Sequence, residues 1–285
     1  MTKFLPIIFV ILWSSAFITT KPIVDNSDPF TALCFRFLIV SFGFFLFSFF
    51  FNSKILNKSK NFLHSIGTGI LFHGFYLGGV FYSISIGLPT GIAALIVTLQ
   101  PVLTNALAGP LLNEKITLNR WLGVILGFIG ASLVIGFDIG KTLPTAGIIS
   151  AFISLLAVTA ATLWQKKIST NLSLPVSNMY QALGGCAFHL FVILFLIERP
   201  FIDFTTTFVI AISHQILLVS FGAFTILMFL IKKNSASKTV SFFFLIPPTS
   251  ALMAWMFLNE NLDLVDIFGF IITTIGVYIA TREKK

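Results

Sequence analysis

The sequence predicts an all-α integral membrane protein with ten transmembrane helices arranged as two inverted five-helix repeats. Three observations predict it: scarce charge, ten apolar segments long enough to cross a bilayer, and a constant offset of 146 residues that superimposes one half of the chain on the other.

The 285 residues include 18 Lys and Arg and 10 Asp and Glu, so 10% are charged, against about 25% in an ordinary soluble domain. Apolar residues make up 56% and the mean hydropathy is +0.99, more apolar surface than one water-soluble core can hide. The 35 Phe fit lipid-facing filler or aromatic cavity walls. A formal net charge of +8 would suggest nucleic acid in a soluble protein; here the charges flank apolar segments, which excludes that reading. Cys34 and Cys186 lie in apolar stretches without Cys-x-x-Cys spacing or a His-rich neighbourhood. They indicate neither a disulfide framework nor a metal site.

A spanning helix needs about 20 mostly apolar residues. The segments 4–20, 30–51, 62–86, 90–112, 118–137, 144–164, 176–197, 208–231, 237–258 and 264–281 qualify. The first, with Lys3 before it and Ser15-Ala16 at its end, also has features of a signal peptide; its match to an internal helix argues for a span. With the N-terminus in the cytoplasm, fourteen Lys and Arg fall inside, among them Lys54, Lys58, Lys60, Lys115, Arg120, Lys166, Lys167, Lys232 and Lys233, and only Lys21, Lys141 and Arg199 fall outside. This positive-inside bias over short loops predicts a multi-pass protein of the cytoplasmic (inner) membrane with both termini cytoplasmic. No loop is long enough for a separate soluble domain, so lipid is the surrounding partner. No obligatory protein partner or cofactor is indicated.

Pro101 and Pro247 lie 146 residues apart, and the same shift pairs Leu112-Asn113-Glu114 with Leu258-Asn259-Glu260, Gly123 with Gly269, Gly130 with Gly276 and Pro29 with Pro175. The predicted units are 1–139 and 140–285. Five spans in each make the second copy enter from the opposite side, a construction recurrent in secondary transporters.

The Trp13-Ser14-Ser15-Ala16-Phe17 run, the Pro29 to Arg36-Phe37 spacing and the two Pro-to-Leu-Asn-Glu segments, each followed by a Gly-containing span, resemble the EamA-like branch of the drug/metabolite transporter superfamily. The resemblance covers essentially the whole chain. It implies ten helices, a central cavity lined mainly by spans one, three, four, six, eight and nine, peripheral spans five and ten, and export of a small metabolite such as an amino acid.

Pro in mid-span frees the carbonyl four residues earlier, which is tolerated where protein or a wet cavity satisfies it. Pro101 and Pro247-Pro248 sit centrally in spans four and nine, a matched interruption of the kind that points to a binding site or gate, or that shapes the bundle. Near them lie Thr98, Gln100, Thr104, Asn105, Thr249 and Ser250, and span three adds His73 and Tyr76 on one helix face. The expected substrate-binding set is Trp13, Ser14, Ser15, Arg36, His73, Tyr76, Gln100, Asn105, Thr249 and Ser250. For each of these, a bond to a neighbouring helix is the competing role. Arg36 lies about 9 Å inside the outer end of its span, where it either meets an anionic substrate group or snorkels to Asp25, Asp28 or another outer acid. Gly74 and Gly78 suit close helix approach. Glu114 and Glu260 follow Asn at span ends and read as helix caps rather than proton sites. No acidic relay crosses the membrane, although His73 and His189 could titrate, so uniport stands beside proton antiport. The alternative function, a membrane-embedded enzyme acting on a lipid-linked substrate, wants clustered His, Asp or Glu, and the four His are dispersed. No Gly-x4-Gly-Lys-Ser/Thr loop is present for ATP.

Overall fold

The computed structural model describes residues 4–50, 61–135, 143–168, 172–258 and 264–282. Apolar composition without water to compete for backbone groups leaves the helix as the satisfied conformation, and the described residues are helical apart from the connections, of which 197–205 pairs Ile202 with Ser27 in an isolated antiparallel bridge. We label the helices α1 (Leu5–Val24), α2 (Pro29–Phe50), α3 (61–85), α4 (Thr90–Leu112), α5 (Leu118–Ile135), α6 (Thr145–Ile168), α7 (Leu174–Leu196), α8 (Thr206–Lys233), α9 (236–258) and α10 (Leu264–Thr281). Seven, namely α1, α2, α4, α6, α7, α8 and α10, are long and apolar enough to cross a membrane; α5 contains a shorter apolar stretch, Leu118–Leu133.

Several helices depart from regular α geometry, and the departures recur at the offset seen in the sequence. A π-helical stretch occupies Ile70–Leu77 of α3 and another Gln215–Ala223 of α8, 145 residues apart at their starts and 146 at their ends. α4 breaks at Thr98-Leu99, and α9 narrows to a 3-10 turn over Ser241–Leu245, again 146 residues apart at their ends. Each break directly precedes the prolines. Pro101 therefore stands in the first turn of a renewed helix, Gln100–Leu112, and Pro247-Pro248 in the first turn of Ile246–Leu258, where a missing N–H costs little.

Small residues set the helix spacing, as expected where packing rather than water drives association. A Cβ on Gly69 would stand 2.1 Å from the Gln181 carbonyl oxygen, and one on Gly184 2.4 Å from that of Ile66. α3 and α7 thus touch backbone to backbone. Gly74 and Gly78 face Phe188 and His189 of the same helix α7. α5 and α10 form the most extensive pair, with Gly123 and Gly127 against Gly276, and Gly130 against Thr273.

α1 runs one turn beyond the expected end at Thr20, to Val24, with the exposed Lys21–Asp25 pair across that last turn. It lies in the core rather than at the edge: Phe9, Trp13 and Ser14 are buried against α8 and α9. Two loops meet on one face, where Asp28 N–H donates to the Phe201 carbonyl (3.1 Å) and Asp203 N–H to that of Asn26 (2.8 Å). Lys3, Lys54, Lys58, Lys60, Asp138, Lys141, Asn259, Glu260 and Asp263, with residues 283–285, lie outside the described residues.

Candidate functional site around Arg36

Arg36 sits on α2 and is only 3% exposed. Of the two destinations open to it, it takes the inward one. Its Nε donates to Ser220 Oγ at 2.9 Å and its Nη1 to Gln215 Oε1, both on the π-helical stretch of α8. The acids expected to meet it are engaged elsewhere: Asp25 with Lys21, and Asp28 accepting from Thr31 N–H (2.7 Å) and Thr31 Oγ1 (2.6 Å) at the start of α2. Among the described residues no carboxylate meets Arg36. A buried cation held only by neutral groups carries an unrepaid desolvation cost, which an incoming anionic group would offset.

Gln215 is placed to serve this cation. Its Nε2 donates to the Ala16 carbonyl, Thr19 Oγ1 and Thr20 Oγ1, each at 3.2 Å, which orients Oε1 towards Arg36. Next to it, His214 approaches Ser15 Oγ (3.1 Å) and Thr19 Oγ1 (3.4 Å). A polar seam thus joins α1 and α8 beside the guanidinium.

The guanidinium borders a cavity of about 40 Å³ between α1, α2, α3 and α8. Trp13 and Thr20 come from α1, His73 and Tyr76 from the π-helical stretch of α3, Gln215 and Ser220 from that of α8. An ordered water needs roughly 10–15 Å³, so the space suits about three waters. The walls are aromatic. Trp13 packs on Phe9 and Phe243 with ring centroids 5.3 and 5.5 Å away, and the His73 ring lies 4.3 Å from Phe37 and 4.4 Å from Phe224. His73 Nδ1 has no hydrogen-bond partner, while its backbone carbonyl lies 2.9 Å from His189 Nε2. His189 therefore belongs to the α3–α7 contact and not to the cavity.

Of the residues singled out in the sequence, the structure gathers Trp13, Arg36, His73 and Tyr76 at this cavity. It does not bring the others there. Ser14 Oγ donates to the Ile246 carbonyl (3.2 Å), and Ser250 Oγ to that of Ser14 (3.1 Å), so this pair ties α1 to the proline break of α9. Ser15 bonds the Leu12 carbonyl (2.8 Å) as well as His214. Gln100 Nε2 donates to Thr162 Oγ1 on α6 (2.9 Å), while Gln100 Oε1, Thr104 Oγ1 and both amide atoms of Asn105 are buried without a partner. Thr249 is half-buried. The breaks before Pro101, Pro247 and Pro248 shape α4 and α9 without reaching the Arg36 cavity, and its lining lacks residues from α4, α6 and α9. That differs from the lining the family resemblance implies. Gln215 and Ser220 escaped the sequence reading, although an amide inside the apolar run of α8 was a usable signal.

Glu114 is a cap, but not of the helix that follows it. Asn113 adopts the left-handed conformation (φ 55°), and the Glu114 N–H reaches back to the Ala108 carbonyl (3.2 Å), closing α4 in a Schellman-like turn. The carboxylate is thereby swung to the start of α9. It accepts there from Ala236 N–H (2.6 Å), Ser237 N–H (3.3 Å) and Ser237 Oγ (2.9 Å), at the positive end of that helix. The second Leu-Asn-Glu segment lies outside the described residues.

No group of three or more His, Cys, Asp or Glu able to hold a metal occurs among the described residues. Apolar helices around a small, aromatic-walled cavity with one buried cation define a polytopic membrane protein with an internal pocket. The model of the EamA-like transporter family matches residues 2–136 and again residues 145–282. The chain belongs to that family, of the drug/metabolite transporter type. The chain is 20% identical over 285 residues to a probable amino-acid metabolite efflux pump of Salmonella typhimurium, spanning 97% of this chain and 93% of the relative. It is 26% identical over 273 residues to an S-adenosylmethionine uptake transporter of Rickettsia prowazekii, spanning 94% and 88%, and 25% identical over 215 residues to the uncharacterized transporter YvbV of Bacillus subtilis, spanning 75% and 69%. A crystal structure of a protein 15% identical superimposes with a TM-score of 0.83 over 98% of this chain and 96% of that one, which shows a shared fold. The protein is an integral membrane transporter, and nothing supports the enzyme acting on a lipid-linked substrate.

Proposed function

We propose that this protein exports a small metabolite bearing an anionic group, such as an amino acid, across the cytoplasmic membrane by alternating access, with Arg36 holding the anion. The observation that carries this reading is the buried guanidinium, held by Gln215 and Ser220 and facing a small cavity, with no carboxylate among the described residues to neutralise it. His73 and Tyr76 supply further polar contacts, and Trp13 an apolar wall. Both relatives whose names specify a solute point to one with an amino-acid carboxylate. They differ in direction, and export follows the amino-acid efflux relative.

In this reading α3, α5 and α9 also cross the membrane, which makes ten spans in two inverted units, 1–139 and 140–285. The recurrence of the π-helical stretches and the pre-proline breaks near an offset of 146 supports it, as does the matching of the family twice along the chain. The two breaks in α4 and α9 are the hinges at which the units rock, and Ser14 and Ser250 join one of them to α1. The distribution of Lys and Arg supports cytoplasmic termini. A cysteine introduced at Lys233 is expected to react only from the cytoplasmic side; labelling from outside would refute this orientation.

The test of the substrate class is thermal stabilisation of the purified protein, since a ligand that binds only the folded state raises its stability. Amino acids should stabilise and their carboxamides should not. Equal stabilisation by acid and amide would remove Arg36 from the anchoring role.

A further inference from the structure

A second, larger hollow lies away from the Arg36 cavity, between α4, α6 and the start of α3. Its volume is about 880 Å³, within the roughly 300–1,000 Å³ range of small-molecule sites. Its walls are two rows of apolar side chains: Leu103, Leu107 and Leu111 on successive turns of α4, and Leu156, Ala160 and Leu163 on α6. Leu107, Leu111 and Leu156 are 41%, 57% and 62% exposed, so the hollow opens laterally, where hydrocarbon would lie. The same two helices are joined by a hydrogen bond from Gln100 of α4 to Thr162 of α6, neither of which lines the hollow.

One end is different in chemistry. Lys167, exposed and without a hydrogen-bond or ion-pair partner among the described residues, stands there beside His64, whose ring meets Trp164 edge-on at 5.9 Å. Among the described residues no carboxylate lines the hollow. From Leu156 to Lys167 is eleven residues of helix, or about 16 Å, and one leaflet of hydrocarbon is about 15 Å deep. The hollow therefore has the length of an acyl chain in one leaflet. A tryptophan and a long cation stand at its polar end, where such groups favour the membrane interface.

We propose that this groove is the seat of one phospholipid with a net anionic headgroup, its acyl chains along the leucine rows and its phosphate at Lys167. The lipid belongs to the cytoplasmic leaflet if the orientation proposed above holds; the binding itself depends neither on that orientation nor on Arg36. Anionic lipids are concentrated in that leaflet, and one lysine near their headgroups is worth about fivefold in affinity.

The test is native mass spectrometry of the full chain, purified in detergent and titrated with phosphatidylglycerol, phosphatidylcholine of the same acyl chains, or glycerol 3-phosphate alone. One phosphatidylglycerol should be retained about fivefold more tightly than phosphatidylcholine. Lys167→Gln should bring the two lipids to parity, and Leu107→Trp combined with Ala160→Trp should abolish retention of both. Glycerol 3-phosphate should not compete. Equal retention of the two lipids by the wild type, a preference unchanged in Lys167→Gln, or displacement by glycerol 3-phosphate would each overturn the proposal. Variants are compared only where size-exclusion profiles show a folded, monodisperse protein; the lysine change is on the surface and keeps the test open should the double tryptophan variant misfold. Stabilisation by amino acids should persist in Lys167→Gln, which separates this site from the central one.

Discussion

Arg36 Nε donates to Ser220 Oγ at 2.9 Å, and the same guanidinium reaches Gln215 one turn away. Both acceptors are neutral. The contact links α2 to α8 and leaves the positive charge without a carboxylate partner among the described residues.

Gln215→Glu would supply the missing carboxylate. The resulting buried ion pair, with the Thr19 and Thr20 hydroxyls able to donate to the second carboxylate oxygen in place of the donor that the Ala16 carbonyl loses, should keep the protein folded while competing with the anion of the solute. Transport by this variant should fall at least tenfold, read as initial flux in liposomes, with thermal stability unchanged or higher. Ser220→Ala removes one hydrogen bond to the cation, worth about 1.5–3 kcal/mol for a charged group, and should raise KM more than it lowers kcat.

The Glu114 cap joins the end of α4 to the start of α9, 122 residues on. Losing a cap costs about 0.5–2 kcal/mol. Glu114→Ala should lower unfolding stability in detergent by about that much, and Glu114→Gln, which keeps one acceptor oxygen, by less. No change in either variant would mean that the cap is replaced by solvent at no cost.

Backbone contact between α3 and α7 sets a steep contrast among glycines. A Cβ at Gly69 would meet the backbone of Gln181 at 2.1 Å, whereas one at Gly109, apart from its chain neighbours and its own helix, would meet the Glu114 carbonyl oxygen first, at 3.7 Å. Gly69→Ala should therefore sharply reduce the yield of monodisperse protein. Gly109→Ala, whose new Cβ is crowded only by its own helix and the following Pro110 ring, should cost far less. Fluorescence-detected size-exclusion chromatography distinguishes these outcomes.

Cys34 and Cys186 lie with their sulfurs 3.9 Å apart, each also near the other's backbone carbonyl. A disulfide needs about 2.05 Å, a small approach of α2 and α7. Oxidation with copper phenanthroline should join them, seen as loss of both thiols to maleimide in denaturant. Persistence of both thiols would show that the two helices do not approach as described.

Much of this was legible in the chain because a bilayer imposes simple demands. Scarce charge and runs of apolar residues dictate membrane helices, and a polar residue within a run needs a reason. That logic found Trp13, Arg36, His73 and Tyr76. It placed Gln100, Asn105, Thr249 and Ser250 with them because they surround the prolines, yet which face of a helix meets a cavity depends on its rotation against neighbours. Gln100 turns to Thr162 instead. Gln215 and Ser220 were obscured because the internal shift maps them onto Gly69 and Gly74, so the repeat gave no second copy to notice. The helix capped by Glu114 was invisible for a different reason: nothing local in Leu-Asn-Glu specifies a partner so distant in sequence.

The central claim is that Arg36 anchors the anion of a transported metabolite. It is tested most directly by exchange of radiolabelled amino acids into liposomes loaded with the same solute, comparing wild type with Arg36→Gln at matched, correctly inserted protein. The wild type should accumulate at least one amino acid, and Arg36→Gln should lose that exchange at least tenfold while retaining its size-exclusion profile. Exchange by Arg36→Gln equal to that of the wild type would contradict the claim.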